Sequence, residues 1–280
     1  MTDLVDDTDL PLLMAAAESV LDEVSGSFVE GVGSPGVHYK GAHDFATEVD
    51  LALERRIRQA LQTRTGIEVY GEEFGGPEAA SGTRWILDPI DGTFNYSVGM
   101  PMASMLLALA VDGEPVIGLT RIPLIGQNFA GYAGGGLLVN GERVPMMDEA
   151  PLQTAVIGLG AFNARAEGRF PGAARAELQR LLSYRAGRMR MTGSNGIDVA
   201  YVAAGVFGGA VSFSANAWDN AAGAALVRAA GGIATDVTGR PWTVDSTSLV
   251  AGNGQLHAEL LQVIGEAMPE QVAALRTGRR

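Results

Sequence analysis

The sequence predicts a layered α/β or α+β protein with mixed sheets. Three observations carry this. The chain has 280 residues, 47% hydrophobic and 19% charged, enough apolar material for one large domain or two lobes. Strand-like runs follow one another from residue 104 to 139, with Asp112-Gly113 and Asn140-Gly141 as hairpin signals. Beyond residue 150, strand-like and helix-like segments alternate.

The elements are expected in this order. Residues 10–31 carry Leu13, Ala16, Ala17, Val20, Leu21, Val24 and Phe28 at helical spacing, and Gly31 is a stop signal. Residues 31–43 form a Gly-rich loop. Thr47 is placed to cap a second helix through Leu51, Leu53, Ile57, Ala60 and Leu61 to Gly66. Short strands are predicted at 67–70 and 84–88, and a helical turn after Thr93. Antiparallel strands are predicted at 104–111, 116–121, 128–133 and 137–139. A composition shift near Asp148–Leu152 divides the chain into lobes 1–150 and 151–280. In the second lobe, strands are expected at 154–159, 187–191, 209–213, 232–236 and 248–251. Helices are expected at 173–183, 195–205, 219–231 and 255–267.

Composition excludes several functions. Cysteine is absent, so there is no disulfide, thiolate zinc site or cysteine nucleophile. Met1-Thr2-Asp3 lacks the basic-then-apolar pattern of a signal peptide, and the apolar run at Met100–Val111 is too short to span a bilayer. A cytoplasmic protein is expected. The net charge of −12 argues against binding nucleic acid or a membrane surface. It also means that an anionic substrate would need bound cations, because metal charge inverts the field of a carboxylate cluster.

The most informative stretch is Asp88-Pro89-Ile90-Asp91-Gly92-Thr93, behind the apolar Trp85-Ile86-Leu87. It puts two carboxylates on a turn that Pro89 stiffens, at the end of a strand. Held carboxylates beside exposed amides suit divalent metals and a phosphate. The plain alternative is an acidic surface turn. That alternative leaves unexplained Glu72, which closes another strand, and Asp219, which opens an apolar helix. Hard oxygen ligands favour magnesium or manganese over zinc. Gly92-Thr93 stands where a helix begins, so it reads as a phosphate site or an ordinary cap. Asp219 taken alone reads equally as a helix cap.

Trp85 to Thr93 resembles the first signature of the inositol monophosphatase family, and Trp218-Asp219-Asn220-Ala221-Ala222-Gly223, on to Ala230-Gly231-Gly232, resembles its second. Glu72 and Asp50 match two further family positions. Lys40 to Glu54 and Gly66 to Pro77 resemble the actinobacterial, ImpA-type branch. The resemblance implies an αβαβα sandwich, a site between two lobes, and a homodimer. It implies that Glu72, Asp88 and the Ile90 carbonyl hold one magnesium, and that Asp88, Asp91 and Asp219 hold a second. Glu72 would help a third. Thr93 paired with Asp50 would orient a metal-activated water, so no histidine base is needed, and His38, His43 and His257 are expected at the surface. The alcohol end would be bound by Asp91, Gly193, Ser194, Asn195 and Asp219.

One position departs from the animal enzymes of the family, which carry a glutamate where Ser212 stands. Ser212 reads equally as a selectivity change or as an ordinary strand residue. Gly31-Val32-Gly33-Ser34-Pro35-Gly36 fits G-x-G-x-x-G but follows a helix and contains Pro35, so a dinucleotide site is not expected. Arg185, Arg188 and Arg190 are expected on a solvated face. The expected function is a magnesium-dependent phosphomonoesterase for a small polyol phosphate, myo-inositol 1-phosphate first. Its rivals are the same chemistry on fructose 1,6-bisphosphate, histidinol phosphate or a nucleotide 3′-phosphate, and a non-catalytic regulatory homologue.

Overall fold

The computed structural model describes residues 9–34, 37–39 and 45–277. In α1 (Leu10–Glu30), buried Leu10, Met14, Ala17, Leu21, Val24 and Phe28 recur every three or four residues. The backbones of β1 (Val37–Tyr39) and β2 (Phe45–Thr47) pair antiparallel. Thr47 then caps α2 (Glu48–Thr65) as expected. The cap is reciprocal: Thr47 Oγ1 accepts from the Asp50 N–H, and the Asp50 carboxylate accepts from the Thr47 N–H.

A seven-stranded sheet follows. β3 (Val69–Gly71) runs parallel to β4 (Thr83–Asp91). After the short α3 (Thr93–Ser97), the sheet continues antiparallel through β5 (Ser104–Val111), β6 (Glu114–Ile122), β7 (Gln127–Tyr132), β8 (Gly136–Val139) and β9 (Glu142–Arg143). The two expected turns are present: Asp112 and Asn140 take φ of 47° and 51°, followed by glycine, as tight hairpin turns demand.

The rest of the chain alternates. It runs through β10 (Val156–Leu159), α4 (Gly172–Arg185), β11 (Arg188–Arg190), α5 (Asn195–Ala203), β12 (Gly209–Ser212) and α6 (Ala217–Ala229). β13 (Ile233–Thr235), β14 (Leu249–Gly252), α7 (Gly254–Ala267) and α8 (Pro269–Arg276) complete it. The five strands order as β11-β10-β12-β14-β13, parallel on the β11 side and antiparallel around β14.

Period-two side-chain alternation turns these sheets into layers. On β5, Met105, Leu107 and Leu109 pack with α1 and α2, while Leu106, Ala108 and Ala110 pack with α5 and α6. On the second sheet, Ala210, Leu249 and Ala251 meet the same α5–α6 layer, whereas Ile157, Val211 and Val250 face α4 and α7. The order is helix, sheet, helix, sheet, helix, with α5 and α6 shared by both sheets. Small residues make α6 thin enough for the middle: Ala221, Ala222, Gly223, Ala224 and Ala225 are all buried.

Several features differ from the sequence reading. Asp88 to Asp91 is the end of β4 and not a turn beyond it. α6 starts at Ala217, with Asn216 as its cap, so Asp219 lies inside the first turn and is not the cap. His257 is buried, 5% exposed, and its Nε2 lies 2.8 Å from Thr235 Oγ1; the apolar face of α7 carries it inward. The β1–β2 pair, β9 and α8 are further elements; each is short, and strands of two or three residues leave no period to read. Arg188 and Arg190 are exposed and Arg185 pairs with Glu266 at 2.5 Å, in keeping with a solvated face. The side chains of His38 and His43, and Lys40, Pro35 and Gly36, lie outside the described residues. No helix among the described residues is long and apolar enough to cross a membrane.

Candidate active site

β3 and β4 are parallel neighbours, so their C-terminal ends bring Glu72 beside Asp88. The register sets Gly71 opposite Leu87, and the Glu72 N–H donates to the Leu87 carbonyl at 3.1 Å. The Glu72 and Asp88 carboxyl groups are in hydrogen-bond contact.

Asp88 and Asp91 are three residues apart, an odd separation that on a regular strand would point them to opposite faces. Their β5 partners, Leu106 and Ser104, are only two apart, so β4 carries one extra residue there. This bulge reverses the parity and sends both carboxylates into one cleft. Pro89 sits in the bulge, where a missing N–H costs the ladder nothing. Asp88 Oδ1 accepts from the Ile90 N–H at 2.9 Å, which fixes the bulge from within.

Gly92 then turns the chain with φ of +82°, and a side chain there would press on the Met102 carbonyl and on Ser194. Thr93 follows as the first residue of α3, and its Oγ1 donates to the Ile90 carbonyl at 2.9 Å. Asp50 is spent on its own cap: one oxygen accepts from Thr47, and the other has no hydrogen-bond partner among the described residues. The expected Thr93–Asp50 pair is therefore not made in this structure, although Asp50 lies close enough to Glu72 to feel its charge.

The other wall comes from the second half of the chain. Asp91 Oδ2 accepts from Ser194 Oγ, from Ser104 Oγ at 3.0 Å and from the Gly196 N–H at 2.8 Å, and Oδ1 accepts from the Asn195 N–H at 3.3 Å. Asp91 thus buttons β4 onto the start of α5. Trp218 packs its ring against Tyr70 with centroids 5.5 Å apart. Asp219 takes hydrogen bonds from Ser214 and Asn216. The Asn220 amide donates to the Ser214 and Asn216 carbonyls and so fastens that loop. Ser212 is 2% exposed, and its Oγ accepts from Asn195 Nδ2 at 2.9 Å and from the Ser214 N–H at 3.3 Å. It orients Asn195 and does not line the cleft. Gly193 is exposed, next to the Asn95 side chain.

The cleft is about 350 Å³, lined by Glu72, Asp88, Ile90, Asp91, Gly92, Thr93, Asn216, Trp218 and Asp219. A cavity of about 280 Å³ under the Val144–Ala150 connection lacks such a convergence of ionisable groups. Among the described residues, no lysine, arginine or histidine lines the carboxylate cleft. Burial first, then the charges of Glu72, Asp91 and Asp219, push Asp88 well above the usual carboxylate range. Burial raises Asp91 to about 6, against the opposing bonds from Ser194, Gly196, Ser104 and Asn195. Asp219 rises to about 7 through burial and the charges of Asp91 and Glu72, and Asp50 to about 6, mainly through burial.

Buried carboxylates gathered in one cleft fit divalent cations, which take hard oxygen ligands. Among the described residues, no three acidic or imidazole groups close on a single point. The carboxylates are spread along the cleft, so a trio sharing one ion would have to draw together on binding it. Sequence reading missed Ser104, Asn216 and Asn220. Serine and asparagine around a helix start look like ordinary capping, and nothing in them announces which carboxylate they serve.

Three comparisons bear on this site. The profile of the Inositol monophosphatase family matches residues 1–268. The chain is 49% identical over 260 residues to the inositol-1-monophosphatase ImpA of Mycolicibacterium smegmatis, covering 93% of this chain and 94% of that protein. It is 33% identical to the fructose-1,6-bisphosphatase/inositol-1-monophosphatase of Aquifex aeolicus, over 85% of this chain and 88% of that one. Among solved structures, the Thermotoga maritima IMPase superposes with a TM-score of 0.81 at 29% identity, covering 90% of this chain and 96% of that chain.

Proposed function

The chain belongs to the inositol monophosphatase family, a family of metal-dependent phosphatases, and on that premise we propose its substrate and the work of each residue. The proposed reaction is hydrolysis of myo-inositol 1-phosphate to inositol and phosphate. The observation that carries it is the cleft itself, where the carboxylates of Glu72, Asp88, Asp91 and Asp219 are gathered with Ile90 and the start of α3.

Glu72, Asp88 and the Ile90 carbonyl are the proposed holders of one magnesium, and Asp88, Asp91 and Asp219 of a second, with Glu72 left to share in a third. Bound divalent cations supply the positive charge that neutralises phosphoryl oxygens and acidifies water to a pKa of roughly 7. Everything else falls to the chain. The N–H groups of Gly92 and Thr93 receive the phosphate. In the proposed step Thr93 Oγ1 would accept a proton from the attacking water while its own hydroxyl proton, given to the Ile90 carbonyl in this structure, turned to the Asp50 carboxylate. Attack in line with the leaving oxygen places Asp219 beside the departing alcohol. Gly193, Ser194 and Asn195 border the alcohol end with Asp91, and Ser212 sets the Asn195 amide.

The proposed lobes, 1–150 and 151–280, contribute opposite walls: Glu72, Asp88 and Asp91 from one, Asp219 and the Ser194–Asn195 turn from the other. A cytoplasmic homodimer completes the proposal, and sedimentation tests its assembly.

The experiment is a substrate panel compared by kcat/KM: inositol 1-phosphate, fructose 1,6-bisphosphate, histidinol phosphate and adenosine 3′,5′-bisphosphate. A lead for inositol 1-phosphate supports the reading. A lead for fructose 1,6-bisphosphate, which the dual name of the Aquifex relative favours as second choice, would move the substrate and keep the mechanism. Absence of turnover on all four would favour a regulatory homologue.

A further inference from the structure

Glu72 does not stand on a regular element; it sits in the 71–75 loop between β3 and the chain leading to β4. Glu54, on α2, explains what holds that loop. Its side chain is fully buried. One oxygen accepts from the Glu73 N–H at 2.8 Å and the other from the Phe74 N–H at 3.1 Å, the two amides that directly follow Glu72. Arg58, one turn on, donates to Glu54 at 2.8 Å and also to the Val69 carbonyl at 2.8 Å and the Gly75 carbonyl at 2.6 Å. The pair therefore grips the strand before Glu72 and the loop after it. Gly71 and Gly75 close the loop with reciprocal backbone bonds of 3.0 Å. A side chain at Gly71 would place its Cβ 2.2 Å from the Glu54 carboxylate, so the glycine is dictated by the acid beneath it.

We propose that Glu54, braced by Arg58, is a positioning residue that sets the Glu72 carboxylate against Asp88 for metal binding. The inference rests on the assignment of Glu72 as a metal ligand. A buried carboxylate with one cationic partner and two backbone donors has no other visible task, and it reaches no cleft surface itself. Glu54→Gln would keep the shape but present an amide N–H₂ to a backbone N–H. One loop amide is then left unpaired and the loop loses its fixed exit from Glu72. Removing a partner that orients a ligand commonly weakens metal affinity by about 10- to 100-fold.

The test is Mn²⁺ binding to the full chain without substrate, followed by electron paramagnetic resonance, beside thermal melts and magnesium activation curves. Glu54→Gln should bind Mn²⁺ about tenfold more weakly. Its magnesium activation midpoint should rise by a similar factor, while kcat at saturating magnesium and KM for substrate stay near wild type. Glu72→Gln is the control. If it binds Mn²⁺ like wild type, the ligand assignment fails. If it binds weakly while a folded Glu54→Gln binds like wild type, the positioning role is overturned, and a lowered melting temperature alone would mark Glu54 as merely structural. Should Glu54→Gln not fold, Arg58→Gln carries the test. It is expected to weaken Mn²⁺ binding several-fold, and unchanged affinity in that variant overturns the proposal.

Discussion

Asp198 offers a test of the electrostatics that needs no substrate. It lies on α5, 3% exposed, with Thr192 Oγ1 donating to it at 2.8 Å. Burial, helped by the charge of Asp91, raises its pKa from 3.8 to about 7. A raised carboxylate favours the folded state while it is protonated. That contribution is complete below the unfolded value of 3.8 and is lost as pH rises through about 7. A tenfold change in proton affinity is worth about 1.4 kcal/mol, so the folded protein should lose roughly 2–3 kcal/mol from this group between about pH 5 and about pH 8. Asp198→Asn keeps an acceptor for the Thr192 hydroxyl and removes the charge. The variant should gain on the wild type as pH rises, by about 5 °C in melting temperature between those two pH values. Differential scanning calorimetry without magnesium measures this. A wild-type-to-variant difference that is the same at both pH values would refute the reasoning.

Further outcomes follow from the same geometry. Ser194→Ala removes both a donor to Asp91 and the cap that accepts from the Ile197 N–H at 3.2 Å. It should cost about 1–2 kcal/mol in unfolding and move the acid limb of the kcat/KM profile upward, because Asp91 loses the bond that lowers its pKa. Ser212→Ala strands the Asn195 amide, so KM should rise with little change in kcat. Magnesium should raise the melting temperature more at about pH 8 than at about pH 6, since ions and protons compete for carboxylates titrating at about 6 and about 7. Equal shifts at both pH values would contradict that competition.

Much of this was legible in the sequence. The helical spacing of α1, the Thr47 cap and the two Gly-containing hairpins each act over a few residues, and each appeared where local pattern placed it. Three carboxylates of the cleft, Asp88, Asp91 and Asp219, were legible too, because Asp-Pro-Ile-Asp-Gly-Thr and Trp-Asp are short and chemically odd, and Glu72 showed as an acid closing an apolar strand. What surrounds them was not. The bulge that lets Asp88 and Asp91 share a cleft depends on the register with β5. Three of the four donors that hold Asp91, from Ser194, Asn195 and Gly196, lie more than a hundred positions away, and His257 looked exposed because burial is a property of packing. Ser212 had two readings: the structure places it at the end of β12, as the strand reading expected, with its Oγ accepting from the Asn195 amide.

The most direct test of the central claim is phosphate release from inositol 1-phosphate across a magnesium titration, for wild type and for Asp88→Asn with its fold verified by circular dichroism. Asp88 is 2% exposed and feels the charges of Glu72, Asp91 and Asp219, which line the same cleft. The account predicts turnover that requires magnesium in the wild type and falls by about a thousandfold or more in the variant, even at saturating metal. Wild-type-like turnover by Asp88→Asn, or turnover indifferent to magnesium, would contradict it.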